Sequence, residues 1–189
     1  MPKRILPAIR DFVQILVDGW GKPGVSEDGG VRSLHFNSGV VQSSMRVPAP
    51  FELNLSYTRS MMGFLLFNAE PQHILLVGLG GGSLSKYCYH QFPQARITTL
   101  EINPDVIALR DEFLVPPDNK RFQVVQSDAC EYLARSDVQA DIILLDGYDA
   151  EGLPACLCTE SFYSNCWQAL SAQGVLVGDL AEIGCNSVL

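Results

Sequence analysis

The sequence predicts an α/β fold in which a parallel sheet is covered by helices on both faces. From residue 74 onward, short continuous apolar runs alternate with helical patterns, which is typical of parallel strands buried on both sides. A glycine cluster follows the first of these runs, at the point where a strand passes into its helix. In such folds ligands bind at the carboxyl ends of the strands, so the search for a site concentrates there.

Length and composition limit the alternatives. The chain has 189 residues, enough for one domain with a proper core, alone or with a small appendage. Lys and Arg number 13 against 21 Asp and Glu, a net charge of −8, which argues against a nucleic-acid partner. No stretch is long and apolar enough to indicate a membrane span, so we expect a cytoplasmic protein with no membrane partner.

The six cysteines are scattered along the chain, partly in apolar stretches, as is usual for reduced thiols in the cytoplasm. Cys156 and Cys158 form a close pair, but no second pair or histidine follows at the spacing of a zinc site. We therefore expect no metal.

The N-terminal part, residues 1–50, is predicted to be a small unit of its own. Apolar residues at helical spacing over residues 5–16 predict a short amphipathic helix. Residues 18–30 contain five glycines and a proline and predict a loop or linker. A small β-hairpin is expected around the turn at residues 37–39, with strands at 31–36 and 40–45.

The larger part, residues 51–189, carries the strand and helix alternation. It opens with a helix over residues 53–67. Apolar runs predict the strands of the sheet at 74–77, 97–100, 122–125, 141–145 and 174–177. Helical patterns between them predict helices that end near residue 90, begin at 103–104, and span 129–134 and 159–170.

The glycine cluster is the strongest motif in the chain. Gly78, Gly80 and Gly82 alternate in a G-x-G-x-G pattern, with Gly81 between the last two, and let a backbone approach a ligand closely. A tight structural turn explains the same residues without any ligand. An NAD-dependent oxidoreductase also stays open, although Ser83 occupies the place of the third glycine in the dinucleotide fingerprint.

Acidic residues follow the next three strands. Glu101 lies 23 positions after Gly78, where a carboxylate can accept hydrogen bonds from a ribose diol. Asp128 ends the third strand and is placed to accept from an adenine amine or, alternatively, to cap the next helix. Asp146 and Asp149 follow the fourth strand and suit a cationic amine and the removal of its proton, unless they only form a turn.

These residues carry a family resemblance. Residues 73–180 resemble the class I S-adenosylmethionine-dependent methyltransferase fold, and within it the spermidine synthase (polyamine aminopropyltransferase) group. The segments similar to that group are residues 78–82, 100–107, 127–129, 146–149 and 160–163. The N-terminal hairpin and Tyr57 extend the resemblance, since that family places a small β domain and a tyrosine before the glycine loop.

The resemblance implies a site for a nucleoside sulfonium donor. By residue-by-residue comparison, Glu101 would bind the ribose hydroxyls and Asp128 the adenine amine, beside the glycine loop. Asp146 would act as base on the attacking amine, while Asp149 and Tyr57 would help to hold that amine. The implied reaction is aminopropyl transfer from decarboxylated S-adenosylmethionine to a small-molecule amine acceptor, as in polyamine biosynthesis.

The sequence departs from the family at the glycine loop. Gly81 stands where the family has an aspartate that helps to hold the donor's amine, and a charge-assisted hydrogen bond of this kind contributes roughly 1.5–3 kcal/mol. S-adenosylmethionine is therefore an alternative donor, and a small-molecule methyltransferase an alternative enzyme. A non-catalytic homologue that only binds nucleoside is the third possibility.

The family fold adds a further helix and a pair of strands after the fifth strand, and only residues 181–189 are left for them here. We therefore expect a shortened member with those C-terminal strands missing. The exposed sheet edge would need a cover. The resemblance and the apolar N-terminal face together imply a homodimer.

Overall fold

The computed structural model describes residues 22–36, 41–135, 137–148 and 152–178. The helix predicted over residues 5–16 and the turn at residues 37–39 lie outside the described residues, as does Asp149.

A three-stranded antiparallel sheet forms the N-terminal part of the described chain. Its strands are β1 (Gly24–Asp28), β2 (Val31–His35) and β3 (Val41–Arg46), in the order β1-β2-β3. The loop predicted over residues 18–30 is therefore wrong for residues 24–28, which form a strand. Gly29 and Gly30 make the two-residue turn into β2 with φ of +55° and +77°, a conformation that glycine adopts without strain.

The second part alternates strands and helices as predicted. Its first helix, α1 (Ser56–Met61), continues into a 3₁₀ turn at Met62–Leu66. The strands that follow are β4 (His73–Val77), β5 (Arg96–Glu101), β6 (Phe122–Gln126), β7 (Ala140–Leu145) and β8 (Leu170–Gly178). The helices between them are α2 (Ser83–Gln91), α3 (Pro104–Ala108), α4 (Ala129–Leu133) and α5 (Glu160–Ala169), with a 3₁₀ turn at Ala155–Cys158 before α5.

The five strands form one parallel sheet in the order β6-β5-β4-β7-β8. The chain first runs outward from β4 to β5 and β6, and then returns to the other side of β4 for β7 and β8. The direction of winding therefore changes beside β4, and a crevice opens there at the carboxyl ends of the strands. The predicted parallel sheet is confirmed.

The core lies on both faces of this sheet. Alternate residues of β4 point to opposite sides: Ile74 and Leu76 join one cluster, and Leu75 and Val77 join the other. The first cluster also contains Leu34 of β2 and residues of β3 and α2. One apolar core therefore runs across the boundary predicted between residues 50 and 51, and it fixes the small sheet beside the glycine turn.

None of the helices in the described ranges is long and apolar enough to cross a bilayer.

Candidate functional site

A cleft of about 160 Å³ lies at the carboxyl end of the sheet, above β4, β5 and β7. Its walls are mostly apolar. Among the described residues that line it, three are carboxylic acids and none is Lys, Arg or His; the acids are Glu101, Asp128 and Asp146. The cleft is therefore shaped for a largely apolar ligand and charged for a cationic one.

The turn after β4 forms the floor of the cleft, and two of its glycines line it. Gly78 has a φ of +96°, and a Cβ there would lie 2.3 Å from the backbone oxygen of Asp146. Gly80 also has a positive φ, of +51°. A side chain at position 78 is excluded because the ends of β4 and β7 meet there, so this glycine holds two walls of the site together.

Gly81 and Gly82 face the interior of the protein. A Cβ on Gly81 would lie 2.8 Å from the Phe113 ring and 2.8 Å from the hydroxyl oxygen of Ser43. A Cβ on Gly82, whose φ is +68°, would lie 2.5 Å from Val115. Close packing explains both glycines, and their predicted contact with a ligand stays a prediction.

Glu101 ends β5 and is held by backbone groups. Its Oε2 accepts a hydrogen bond from the Leu79 N–H at 3.0 Å, and its Oε1 accepts from the Asn103 N–H at 2.8 Å. The residue is only 9% exposed. The carboxylate is thus fixed between the glycine turn and the start of α3, in the wall of the cleft where the sequence predicts a ribose contact.

Asp128 caps α4 and also lines the cleft. Its Oδ1 accepts a hydrogen bond from the Cys130 N–H at 2.7 Å and so caps α4. The residue also lines the cleft beside Ser127 and Ala129. Capping uses one carboxylate oxygen and fixes the direction of the side chain, and the predicted contact of Asp128 with an adenine amine stays a prediction.

Asp146 follows β7 and meets Tyr57 from the other part of the chain. The Asp146 N–H donates to the Val77 carbonyl at 2.9 Å, which ties the residue to the end of β4. The Tyr57 hydroxyl, on α1, donates to the Asp146 carboxylate over 3.4 Å. The structure therefore brings together two of the three predicted catalytic residues.

The small N-terminal sheet supplies part of the cleft that the motifs did not indicate. Leu34, Phe36, Gln42 and Ser43 all line it, and the hydroxyl of Ser43 lies 3.4 Å from that of Ser83 at the start of α2. Ser43 and its neighbour Ser44 are both buried in β3. No local pattern in the sequence marks these residues, since their burial and the contact of Ser43 with Ser83 follow from packing between distant segments.

Ile102 lies in the segment 100–107 that resembles the family, but no role was predicted for it from the sequence. It lies between Glu101 and Asn103, lines the cleft, and is 46% exposed. This large apolar side chain therefore adds an exposed apolar surface to the wall of the cleft.

The profile of the spermine/spermidine synthase domain matches residues 54–183. The chain belongs to the spermine/spermidine synthase family. This match includes Tyr57, the glycine turn and each of the strand-end carboxylates.

Two curated relatives are similar over most of the chain. A polyamine aminopropyltransferase of Neisseria meningitidis is 44% identical over 177 residues, and one of Chromobacterium violaceum is 40% identical over 176. Each alignment covers 93% of this chain and 64% of the relative, so the chain spans less than two thirds of either protein.

The fold of the family is also seen in solved structures. A probable spermidine synthase from Corynebacterium glutamicum superposes with a TM-score of 0.71 at 21% identity, over 82% of this chain and 59% of that one. This likeness confirms the predicted fold, a methyltransferase-type parallel sheet with a small β unit before it.

Proposed function

We propose that the cleft binds an adenosyl sulfonium donor and that the protein transfers an aminopropyl group from it to a small-molecule amine. The observation that carries this proposal is the convergence of Glu101, Asp128 and Asp146, from three strand ends, on one apolar cleft beside the glycine turn. Membership of the spermine/spermidine synthase family supports the reaction class. Decarboxylated S-adenosylmethionine is the donor that fits an acidic cleft best, because it carries two positive charges.

The nucleoside half of the donor would lie between β4 and β6. Glu101, held by two backbone N–H groups, accepts hydrogen bonds from both ribose hydroxyls. Asp128 accepts from the adenine amine, and Ile102 covers one face of the base. The cleft would thus recognise the adenosyl group by two carboxylates and an apolar wall.

The reaction is a displacement at the aminopropyl carbon bonded to sulfur. The amine nitrogen forms a bond to this carbon while the carbon–sulfur bond breaks, and its electron pair neutralises the sulfonium to give methylthioadenosine. The proton lost by the amine is taken up at the Asp146 carboxylate. Such a step depends on alignment and on a deprotonated amine, and Tyr57 assists by holding Asp146 from α1.

A second candidate, methyl transfer from S-adenosylmethionine to a small molecule, is favoured by one observation. Phe113 and Ser43 occupy the space beside Gly81, where the family has a carboxylate for the donor's amine. With that carboxylate absent, the preference for a decarboxylated donor is weaker. Ser43 and Gln42 instead bring neutral polar groups to the same wall of the cleft.

Binding and product analysis test the proposal. We expect methylthioadenosine and decarboxylated S-adenosylmethionine to bind in calorimetry, and label to pass from the aminopropyl group of the donor to putrescine or another diamine. Transfer of a labelled methyl group would establish the second candidate. Binding without turnover on any amine would identify a non-catalytic nucleoside-binding homologue, and no binding at millimolar ligand would overturn the site.

Asp146→Asn tests the assigned base. We expect turnover to fall by a factor of about 10² to 10⁴, the usual range for loss of a general base, with donor affinity changed much less. Asp105→Asn is the matched control, because Asp105 is an exposed carboxylate in the first turn of α3. Full turnover by Asp146→Asn would assign the proton transfer to another group.

A further inference from the structure

A second pocket, of about 270 Å³, lies at the amino end of the parallel sheet, the end opposite to the cleft. His73 and Arg96, at the starts of β4 and β5, form one side of it, and the end of α4 and the residues before β7 form the other. Its lining is mostly polar, whereas the walls of the cleft are mostly apolar. The pocket therefore suits a polar ligand, and the proposed reaction does not use it.

Two arginines and one acid line this pocket, in a protein whose net charge is −8. The arginines are Arg96 and Arg135, and the acid is Asp137. Within the described residues neither guanidinium pairs with a carboxylate, because the three ion pairs found there use other arginines. Two unpaired guanidinium groups in one pocket favour an anion, and their planar forks match the oxygens of a phosphate or a carboxylate.

The buried ring of His73 leaves the donors of Arg96 free. Its Nδ1 lies 2.5 Å from the Gln139 carbonyl oxygen and 2.9 Å from a guanidinium nitrogen of Arg96. A carbonyl oxygen only accepts, so Nδ1 carries the proton and donates it to Gln139. The ring therefore offers no acceptor to Arg96 at this nitrogen, and its Nε2 lies 3.0 Å from the Thr98 hydroxyl. In the part of the chain that the structure describes, the Arg96 guanidinium is left without an acceptor.

The backbone holds both arginines in place. Arg96 begins β5, and its N–H donates to the Gln72 carbonyl at 2.8 Å. Arg135 follows α4, and its N–H donates to the Tyr132 carbonyl at 3.3 Å. The Tyr132 side chain lines the same pocket. The two guanidinium groups are thus carried by ordered segments on two sides of the pocket, as in a binding site formed before its ligand arrives.

We propose that this pocket binds a small oxyanion through Arg96 and Arg135, with a phosphate or carboxylate group as the part recognised. Each guanidinium donates N–H groups to the oxygens of the anion. Asp137 weakens binding, because its carboxylate repels the same ligand. Among the described residues this pocket and the cleft share no lining residue, so the oxyanion site does not rest on the proposed transferase function.

Thermal denaturation with inorganic phosphate tests the oxyanion site. At constant pH and ionic strength, with sodium chloride as the compensating salt, we expect phosphate to raise the Tm along a saturating curve. Arg96→Gln and Arg135→Gln should each weaken the apparent affinity about tenfold or more. Asp137→Asn should strengthen it about twofold to fivefold. Arg46→Gln, which changes an exposed arginine of β3, is the matched control and should leave it unchanged.

The histidine ring signals in nuclear magnetic resonance spectra locate the bound anion. The chain has three histidines, so His35→Gln and His90→Gln assign the signal of His73. We expect phosphate to shift the His73 signal and not the other two, because His73 contacts Arg96. Malonate is the second probe: the tighter of the two anions identifies phosphate or carboxylate as the preferred group. A rise in Tm that does not saturate, that is equal in wild type and Arg135→Gln, or that leaves the His73 signal unmoved overturns the site.

Discussion

Strand β7 carries a carboxylate at each end, and the two are used in opposite ways. Asp141, at its start, accepts hydrogen bonds from the Ser171 hydroxyl at 2.7 Å and from the N–H groups of Gln72 and His73 at 2.8 and 3.0 Å. Asp146, just past its end, lines an acidic cleft and is reached by the Tyr57 hydroxyl over a longer distance of 3.4 Å. The first ties together three segments, while the second lines a cleft that contains two other carboxylates.

The two ends of β7 therefore differ in what they contribute: the amino end contributes to stability, and the carboxyl end lies at the candidate site. Burial alone raises the pKa of Asp141, but the hydrogen bonds from Ser171, Gln72 and His73 outweigh it, so the pKa lies below its ordinary value. At the other end, three acids line one cleft, where the proposed ligand is a cation. Asp141 therefore stabilises the fold, and Asp146 belongs to the candidate site.

Asp141→Ala tests the amino end and has the largest expected effect. We expect the free energy of unfolding to fall by about 3 kcal/mol, because two backbone N–H groups and a hydroxyl lose their acceptor. Methylthioadenosine affinity should not change. Asp146→Asn should change stability by less than about 1 kcal/mol, since loss of one charge also relieves repulsion in the cleft. Chemical denaturation and calorimetry measure both.

The pH dependence of the Asp141 contribution has a defined sign. Its folded pKa is depressed, so the unfolded state binds more protons in acid. The stabilisation is complete above the ordinary carboxyl value and is lost as the pH falls through the lower, folded value. The difference between wild type and Asp141→Ala should therefore shrink below about pH 4. A difference independent of pH would show that the effect comes from packing.

Lys86 is a lysine buried inside the protein. It lies in α2 with no exposed surface, and its Nζ donates to the Phe113 carbonyl at 2.6 Å and to the Met45 sulfur at 2.9 Å. Burial, with a smaller contribution from Arg32, lowers its pKa to about 8. The lysine joins α2 to the small sheet, with a carbonyl and a thioether as its hydrogen-bond acceptors.

Lys86→Met tests how the burial of this lysine makes the stability of the protein depend on pH. Between pH 7 and 10.5 we expect wild type to gain about 3 kcal/mol of stability relative to the variant, because the unfolded state binds the extra proton over that range. Effects common to both proteins, such as the raised pKa of Cys88, cancel in the difference. Denaturation at four or five pH values measures it. A constant difference would mean that the pKa of Lys86 is the same in the folded and unfolded states, as for a solvated lysine.

The parallel sheet and most of the site could be predicted because both depend on local patterns. Continuous apolar runs located the strands, and a carboxylate after a strand belongs at its carboxyl end whatever the rest of the chain does. β1 was missed because its residues show no apolar alternation: Gly24–Asp28 is an edge strand with an exposed end. The contact of Ser43 with the cleft depends on packing between residues 40 positions apart, which no local pattern contains.

The burial of Lys86 could not be predicted either, because it also depends on packing between residues far apart in the chain. A lysine in a surface helix is normally solvated, and Lys86 is buried here only because β3 and Phe113 cover α2. At Gly81 the sequence and the structure give different information. The sequence shows that the family's carboxylate is absent, and the structure shows that Phe113 and Ser43 occupy the space beside Gly81.

Glu101→Gln tests the proposed ribose contact at the carboxyl end of the sheet. We expect a tenfold to hundredfold loss of affinity for methylthioadenosine, which corresponds to roughly 1.5–3 kcal/mol for hydrogen bonds to a charged group. Glu70→Gln is the control, because it removes an exposed carboxylate before β4, at the amino end. Equal affinities in the two variants would show that Glu101 only supports the glycine turn.

Tyr57→Phe has the smallest expected effect. A hydroxyl that donates over 3.4 Å makes a weak hydrogen bond, so its loss should lower kcat/KM by a factor of about two to ten. The loss should appear in kcat, because Tyr57 acts on Asp146 and not on the nucleoside. Tyr87→Phe, whose ring packs against the core from α2, controls for removal of a tyrosine hydroxyl. A loss above a hundredfold would give Tyr57 a direct role in holding the amine, and the reactive end of the cleft would then depend on α1 as much as on β7.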